Sequence, residues 1–349
     1  MEKNEILCIG NPIVDVFTKM DNNLALKYGI IDPVQHISRD AAESILNEPS
    51  IDFSKAVKCS GGGAANVAKI SAMLGMKSAF LGCAGNDELA AVFEKEITDA
   101  GVSAMLEKSN GRTGLCFACD IAGELRFAAS PSAALDLNET HISREMIGAA
   151  EVVVLDGYIL DRRPLVQHVL FLASRQGIPV ALDVASVFQV KSKAEEILTY
   201  ARNFPLFIFM NADEALTLYF EIRLSGQGDC YSLTEKEKES MILRDVCPML
   251  KIITDGELFP IMVVKLGGRG SLVIAGGNVY DEETFTINAH DTVGAGDAFC
   301  AAFISAWIRG RSISECAALG NKVAREILDV PGTHIKKAKL NAFAKMLKK

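Results

Sequence analysis

Hydrophobic residues along this chain occur in two alternating patterns. Short apolar runs rich in β-branched residues predict strands, and the most continuous of these runs predict strands buried on both faces. The expected strands occupy residues 6–10, 79–83, 152–155, 180–183, 206–210, 261–266 and 271–275. Between many of them, apolar residues recur every three or four positions, which predicts amphipathic helices. The expected helices occupy residues 63–74, 88–100, 164–176, 295–309, 314–328 and 336–348. This alternation is typical of an α/β fold with a mainly parallel sheet.

Three segments depart from this alternation. Residues 11–60 are polar and rich in turn-forming residues, and residues 113–129 predict a β-hairpin. We expect parts of both segments to form a small β lid beside the main sheet of a single domain that spans residues 1–349. Residues 225–258 are polar and charged, and they predict a surface insertion.

Composition and charge narrow the classes of function. The 349 residues are 49% hydrophobic and 23% charged, which is typical of a globular protein with a large core. A net charge of −8 argues against a general nucleic-acid binder and against an anionic-membrane binder. No apolar run reaches the roughly 18 residues that span a bilayer, and no export signal is evident. We therefore expect a cytoplasmic protein whose nine cysteines are reduced, including the lone pair Cys116 and Cys119 in a predicted strand.

The run DTVGAGDAF, residues 291–299, suggests an anion site. Gly294, Ala295 and Gly296 lead into Asp297, and an amphipathic helix follows at once. A helix start carries unpaired backbone N–H groups and the positive end of the helix dipole, and small residues let an anion approach them. Aspartate is also a favoured N-cap and glycine is common in turns, so the spacing alone fits an ordinary helix start at least as well.

A second glycine run precedes the helix at 63–74. Gly62 and Gly63 permit a close backbone approach, and Asn66 can both donate and accept hydrogen bonds. Asp15 follows the first strand, and a carboxylate can accept two hydroxyl protons at once. These features suit a ligand with hydroxyl groups, although a flexible turn and an ordinary loop aspartate explain them equally well.

Both runs resemble the signatures of one family. DTVGAGDAF resembles the C-terminal signature of the ribokinase-type (pfkB) carbohydrate and nucleoside kinases, and the glycine run resembles the element with which that family holds sugar. The resemblance extends from Asp15 to about Asn321, with the motifs in the family's order. It implies a ribokinase-like three-layer α/β/α sandwich with a small β lid, and an ATP-dependent phosphotransferase that uses Mg²⁺.

The resemblance also implies roles for individual residues. The expected anion hole and catalytic base are Gly294, Ala295, Gly296 and Asp297. The expected substrate ligands are Asp15, Gly62, Gly63, Asn66 and, from the hairpin, Arg126. The expected nucleotide-site residues are Asn211, Glu214, Lys265, Gly267 and Asn321, with Arg269 as an alternative phosphate contact. Glu214 is expected to hold Mg²⁺ through water, and a K⁺ site is a further candidate near Asp291 and Val293. Asn211 and Glu214 also fit a helix capping box.

One loop departs from the family pattern. Many sugar kinases of the family carry Asp-Pro-Asn after the strand at 180–183, whereas this chain has Asp183-Val184-Ala185 and no asparagine. That loop, the spacing from Asp15 to Asn66 and the segment 24–30 are more similar to adenosine kinases.

The acceptor is therefore predicted to be a nucleoside rather than a free sugar, by a small margin. The phenylalanines that could stack on a base are Phe17, Phe127 and Phe188. A sugar kinase and a non-catalytic nucleotide or sugar sensor remain alternatives. The expected partner is a small molecule, and the protein is expected to be a monomer or a homodimer.

Overall fold

The strands of the described chain form two separate sheets. A computed structural model describes residues 3–32, 34–256, 258, 260–284, 294–327 and 337–347. In this part the strands are β1 (Ile6–Ile9), β2 (Ile13–Lys19), β3 (Val34–His36), β4 (Val57–Gly61), β5 (Ser78–Ala84), β6 (Ser103–Lys108), β7 (Gly114–Ile121), β8 (Glu124–Ser130), β9 (Val152–Asp156), β10 (Val180–Asp183), β11 (Leu206–Asn211), β12 (Ile261–Lys265), β13 (Gly270–Ala275) and β14 (Asn278–Glu283).

Helices cover much of the remaining described chain. The α-helices are α1 (Asn22–Lys27), α2 (Arg39–Leu46), α3 (Gly63–Met73), α4 (Glu88–Asp99), α5 (Arg144–Gly148), α6 (Arg163–Ser174), α7 (Val187–Asn203), α8 (Ala212–Leu224), α9 (Glu235–Met241), α10 (Cys247–Thr254), α11 (Ala295–Ile308), α12 (Ile313–Ile327) and α13 (Lys337–Leu347). A π-helical segment, Ile242–Val246, joins α9 to α10. None of the helices described is long and apolar enough to cross a membrane.

The larger sheet is mainly parallel, as predicted. Its order is β14-β13-β12-β11-β10-β9-β1-β5-β6, and in the described structure the antiparallel pairs of this sheet are those that β13, near one edge, makes with β12 and β14. Consecutive side chains of its strands enter different cores. Val152 and Val154 of β9 belong to the core that includes α3, α11 and α12, whereas Val153 and Leu155 belong to the core that includes α6, α7 and α8. Helices on both faces of the sheet make the predicted three-layer sandwich.

The smaller sheet has the order β3-β8-β7-β2-β4. Its strands come from the two segments in which a small sheet was expected, and β7 and β8 form the predicted antiparallel hairpin. β2 follows β1 after only three residues, so the two sheets are linked directly at the carboxyl end of β1. The second sheet is confirmed, while its action as a lid stays a prediction.

The prediction of a surface insertion at residues 225–258 is wrong for its second half. Ile242, Val246, Leu250 and Ile253 are buried in the same core as β12 and β13, and α10 contacts both strands. These apolar residues recur at spacings of four, four and three, which is the helical period. Charged residues between them lowered the average hydrophobicity and hid the pattern.

Phe303 anchors α11, the helix that follows the DTVGAGDAF run. Its ring is fully buried and packs edge-on against Phe207 and Phe209 of β11, with centroid distances of 6.3 and 5.5 Å. It also stacks on Phe299 at 6.0 Å. The aromatic cluster therefore fixes the position of α11 on the sheet.

Phe303→Ala is expected to lower the free energy of unfolding by about 3–5 kcal/mol, because it removes a large side chain from a packed core. Urea unfolding followed by circular dichroism measures the change. Phe171→Ala is the matched control, since Phe171 on α6 is 58% exposed and should change stability by about 0.5 kcal/mol or less. Similar losses in the two variants would contradict the anchoring role.

Candidate active site

Four neighbouring strands of the large sheet end in polar residues. Asp156, Asp183, Asn211 and Lys265 are the last residues of β9, β10, β11 and β12. Asp156 pairs in register with Asp183, and Asn211 pairs with Lys265. Parallel strands present their carboxyl ends at one edge of the sheet, where ligands of open α/β folds bind. The Lys265 ammonium forms a 2.7 Å ion pair with Asp183 Oδ2 at this edge.

Two helices begin above the same edge. Gly62, with φ of +91°, precedes α3, and a Cβ atom built on it would lie 2.4 Å from the carbonyl oxygen of Asn11. Gly294, with φ of +79°, precedes α11. The helix starts are joined by Asn66 Nδ2, which donates a 2.8 Å hydrogen bond to Asp297 Oδ2 across 231 sequence positions. Backbone N–H groups of both helices are thereby directed toward one space.

A cavity of about 400 Å³ lies between these helix starts, the strand ends and the small sheet. Ten of the predicted anion-hole, catalytic, substrate-binding and nucleotide-site residues line it. They are Asp15, Gly62, Gly63, Asn66, Asn211, Glu214, Lys265, Gly294, Gly296 and Asp297.

Some of the predicted site residues are not among those that line this cavity. Gly267 lies in the turn after β12, with φ of +56°, and Ala295 is the first residue of α11. Asn321 on α12 donates a 3.0 Å hydrogen bond to the carbonyl oxygen of Glu282 on β14. Asp291 and Val293, the K⁺ candidates, fall outside the described residues. The roles assigned to all of these stay predictions.

Two arginines were also expected near phosphate or substrate. Arg126 on β8 donates a 3.2 Å hydrogen bond to the carbonyl oxygen of Ile30 and pairs with Glu124. Arg269 forms ion pairs with Glu239 and Asp281. Neither residue lines the cavity described here, and the substrate role of Arg126 stays a prediction.

Asp156 is a cavity residue that the sequence reasoning missed. Its side chain is only 4% exposed and accepts a 2.9 Å hydrogen bond from the Tyr158 backbone N–H. A Cβ atom on Gly63 would lie 3.4 Å from Asp156 Oδ2 and 3.3 Å from Asp297 Oδ1, so both carboxylates approach the same glycine. Burial raises the pKa of Asp156. The sequence signal for Asp156 was a carboxylate directly after the apolar run at residues 152–155.

Asp15 lies on β2 between two cysteines of the small sheet, Cys59 on β4 and Cys116 on β7. Burial raises the pKa of Asp15 to about 6, opposed by the positive charge of Lys69 and a hydrogen bond from the Cys116 thiol. A Cβ atom on Gly61 would lie 2.3 Å from Asp15 Oδ2. The carboxylate therefore occupies space that only a glycine leaves free.

Ionisation of Asp297 and Glu214, two acidic side chains of the cavity, is electrostatically unfavourable. Burial raises the pKa of Asp297 to about 7, although the hydrogen bond from Asn66 opposes the shift. Burial and the negative charge of Asp183 raise the pKa of Glu214 to about 7. Glu214 also accepts a 2.7 Å hydrogen bond from the Asn211 N–H, so the capping box is present as well. Burial alone would lower the pKa of Lys265, but the carboxylates of Asp183 and Glu214 raise it above its usual range.

Asn66 has one hydrogen-bonding atom without a partner. Its side chain is 5% exposed, and Oδ1 is buried with no hydrogen-bond donor in the described structure. An unpaired buried carbonyl oxygen is unfavourable unless a ligand supplies a donor. A substrate hydroxyl next to Asp297 would supply one.

The small sheet contributes an apolar and aromatic wall. Phe127 of β8 and His36 of β3 line the cavity, and the ring of His36 meets edge-on, at 5.5 Å, the ring of Tyr158, which follows β9 of the large sheet. The other two candidate phenylalanines lie elsewhere: Phe17 lines a separate groove, and Phe188 is 70% exposed. Only the tertiary structure distinguishes Phe127 from them.

Comparisons with known proteins agree with this geometry. Residues 24–339 match the profile of the pfkB family carbohydrate kinases. The adenosine kinase of Schizophyllum commune is 24% identical over 96% of this chain and 98% of its own length. The crystal structure of adenosine kinase from Sinorhizobium meliloti superimposes with a TM-score of 0.80 at 25% identity, over 99% of each chain. A probable sugar kinase from Rhizobium etli also gives 0.80, at 24% identity, over 100% of this chain and 99% of that one. The predicted ribokinase-like fold is confirmed.

Asp297→Asn is expected to stabilise the free protein at high pH. The folded-state pKa of about 7 exceeds the usual value for aspartate, so ionising Asp297 costs stability. That cost is absent below about pH 4, grows as the pH rises toward 7 and is complete above it. We expect a gain in the free energy of unfolding on the order of 2 kcal/mol at pH 8 and none near pH 3.

Urea unfolding of both proteins between pH 3 and 8 measures this difference. Asp32→Asn, at an exposed position, serves as the control and should show no such pH dependence. Equal stability of wild type and Asp297→Asn at pH 8 would contradict the raised pKa.

Proposed function

This chain belongs to the pfkB family of carbohydrate kinases and is a phosphotransferase, and we propose that it transfers the γ-phosphate of ATP to the primary hydroxyl of a nucleoside. The observation that carries the proposal is the position of Asp297. Its carboxylate lies at the start of α11, lines the cavity and is oriented by the hydrogen bond from Asn66. A base and an anion-binding helix start therefore face the same space.

Asp297 is the proposed general base. A base is most effective when its pKa lies near the working pH, and burial raises the pKa of Asp297 to about 7. The carboxylate would accept the proton of the 5′-hydroxyl as that oxygen attacks the γ-phosphorus. Asn66 Oδ1 would accept a hydrogen bond from a second substrate hydroxyl.

The start of α11 is the proposed anion hole. The backbone N–H groups of Gly294, Ala295, Gly296 and Asp297 have no preceding helical turn to bond with. The helix dipole adds positive potential at the same place. These groups would stabilise the negative charge on the transferring phosphoryl group, which is where phosphoryl transfer gains most from a protein.

The nucleotide is proposed to bind as its magnesium complex. The described residues contain no cluster of three or more His, Cys, Asp or Glu side chains able to hold a metal, but Mg²⁺ on a nucleotide keeps several waters and needs few protein ligands. Glu214 would hold it through water, and Mg²⁺ would neutralise charge on the phosphates. Gly267 and Asn321 are proposed to contact the rest of the nucleotide, and K⁺ near Asp291 and Val293 remains a proposal.

A nucleoside fits the acceptor side better than a free sugar. Asp15 and Asn66 offer acceptors for ribose hydroxyls, and the wall formed by His36, Phe127 and Tyr158 offers aromatic surface for a base. A free sugar would leave that wall uncovered. Named adenosine kinases among the relatives support the same choice, whereas the probable sugar kinase keeps the sugar as the second candidate.

A turnover assay with Mg·ATP across adenosine, inosine, guanosine, cytidine, ribose, fructose and fructose 6-phosphate tests the acceptor. We expect activity with one or more nucleosides and none with the sugars. Activity with a sugar alone would replace the nucleoside by the second candidate. ATP binding without turnover of any acceptor would favour the non-catalytic sensor.

Asp297→Asn is expected to lower kcat by about 10²–10⁴ while ATP affinity stays largely unchanged, because an amide cannot accept the hydroxyl proton. In the wild type, kcat should fall as the pH drops below about 7, where Asp297 becomes protonated. Steady-state kinetics from pH 5 to 9 and calorimetry with an ATP analogue measure both effects. Normal kcat in the variant would overturn the base assignment.

Phe127→Ala is expected to raise KM for the nucleoside by about tenfold, because it removes the proposed stacking surface. Phe17→Ala is the matched control, since Phe17 lies on the small sheet outside the cavity. KM values from initial-rate measurements give the comparison. Equal effects of the two substitutions would argue against base recognition by Phe127.

A further inference from the structure

The ion pair of Lys265 with Asp183 is the one Lys–Asp contact at the cavity in the described structure. Its 2.7 Å length and low exposure, 15% for the lysine side chain and 18% for the aspartate, separate it from the exposed surface pairs. Both residues line the cavity. A charge with so little exposure to water needs a counter-charge close by, and Asp183 supplies it.

The Lys265 ammonium lies beside a helix N-terminus, which is an unfavourable position for a cation. A Cβ atom on Gly296 would lie only 3.0 Å from Lys265 Nζ, so the cation lies against the first turn of α11. The N-terminus of a helix carries positive potential and repels cations. The ammonium and the helix N-terminus face the same space. An anion in that space would interact favourably with both of them.

Asp183 is held independently of Lys265. Its Oδ1 accepts a 3.1 Å hydrogen bond from the Ala185 N–H, while Oδ2 contacts Lys265. Ala185 has φ of +69°, a left-handed conformation that is unfavourable for a non-glycine residue. The two oxygens of Asp183 therefore have separate partners, and the bond from the Ala185 N–H does not involve the ammonium.

We propose that Lys265 leaves Asp183 for the γ-phosphate of the bound nucleotide, and that Asp183 positions the ammonium until the nucleotide arrives. The lysine thereby supplies a phosphate contact in a chain whose loop after β10 lacks the asparagine of Asp-Pro-Asn. This proposal rests on the proposed kinase reaction and adds to it an exchange of ion-pair partners.

Nucleotide affinities test the exchange without any need for turnover. Lys265→Met alone would leave Asp183 without its counter-charge and could unfold the protein or repel phosphate. The informative variant is therefore Asp183→Asn/Lys265→Met, which removes both charges and keeps the shapes similar. Thermal unfolding verifies that it folds, and calorimetry gives Kd for Mg·ADP and for Mg·AMP-PNP, an ATP analogue that retains a γ-phosphoryl group.

We expect the double variant to bind AMP-PNP about tenfold or more weakly and ADP with nearly wild-type affinity, since only the γ-phosphate contact is lost. Asp183→Asn alone should bind AMP-PNP at least as tightly as the wild type, because Lys265 no longer has a competing partner. Equal weakening for both nucleotides, or no change for either, would overturn the exchange.

Lys238→Met is the matched control. Lys238 Nζ also lies 2.7 Å from an aspartate, Asp213, with side chains that are 11% and 29% exposed, and this pair does not line the cavity. Its removal should leave both affinities unchanged, and selective loss of AMP-PNP binding in Lys238→Met would overturn the assignment to Lys265.

Failure of the wild type to bind AMP-PNP would overturn the kinase function and the exchange together, whereas equal losses in the double variant would overturn the exchange alone.

Discussion

The approach of two helix N-termini over one edge of a parallel sheet is the constraint on which the site depends. α3 and α11 are separated by more than two hundred residues in the chain, yet Asn66 and Asp297 hydrogen-bond directly at 2.8 Å. Gly62 and Gly63 allow the approach, because a side chain at either position would meet Asn11 or Asp297. Burial of Phe303 against β11 holds the second helix in place.

That arrangement concentrates negative charge away from water. Asp156, Asp183, Glu214 and Asp297 all face the cavity, and Lys265 is the cation among its lining residues. Desolvation by burial, with repulsion from Asp183, raises the pKa values of Glu214 and Asp297 to about 7. The same shifts that make the free protein less stable make a carboxylate able to accept a proton at neutral pH. Stability and the proposed chemistry therefore oppose each other at these positions.

The small sheet determines which side chains lie opposite Asp297, the proposed base. It carries Asp15 and the aromatic side chain of Phe127 to the cavity, while the large sheet and its helices carry Asp297, Lys265 and Glu214. The proposed acceptor recognition and the proposed phosphate chemistry therefore come from different layers of the fold. An adenosine kinase and a probable sugar kinase superimpose on this chain with the same TM-score of 0.80, so both share its architecture.

Local patterns in the sequence were sufficient for the α/β class, for most strands, for six of the thirteen α-helices described, and for the glycine runs at the starts of α3 and α11, because backbone preferences act between near neighbours. Contacts between distant segments were not accessible in this way. The pairing of Lys265 with Asp183, the burial of Asp156 beside Gly63, the burial of α10 and the selection of Phe127 over other phenylalanines follow from strand order and packing. Hydrophobic period specifies which face of an element is buried, but only tertiary packing decides which other element covers that face and which side chains then meet.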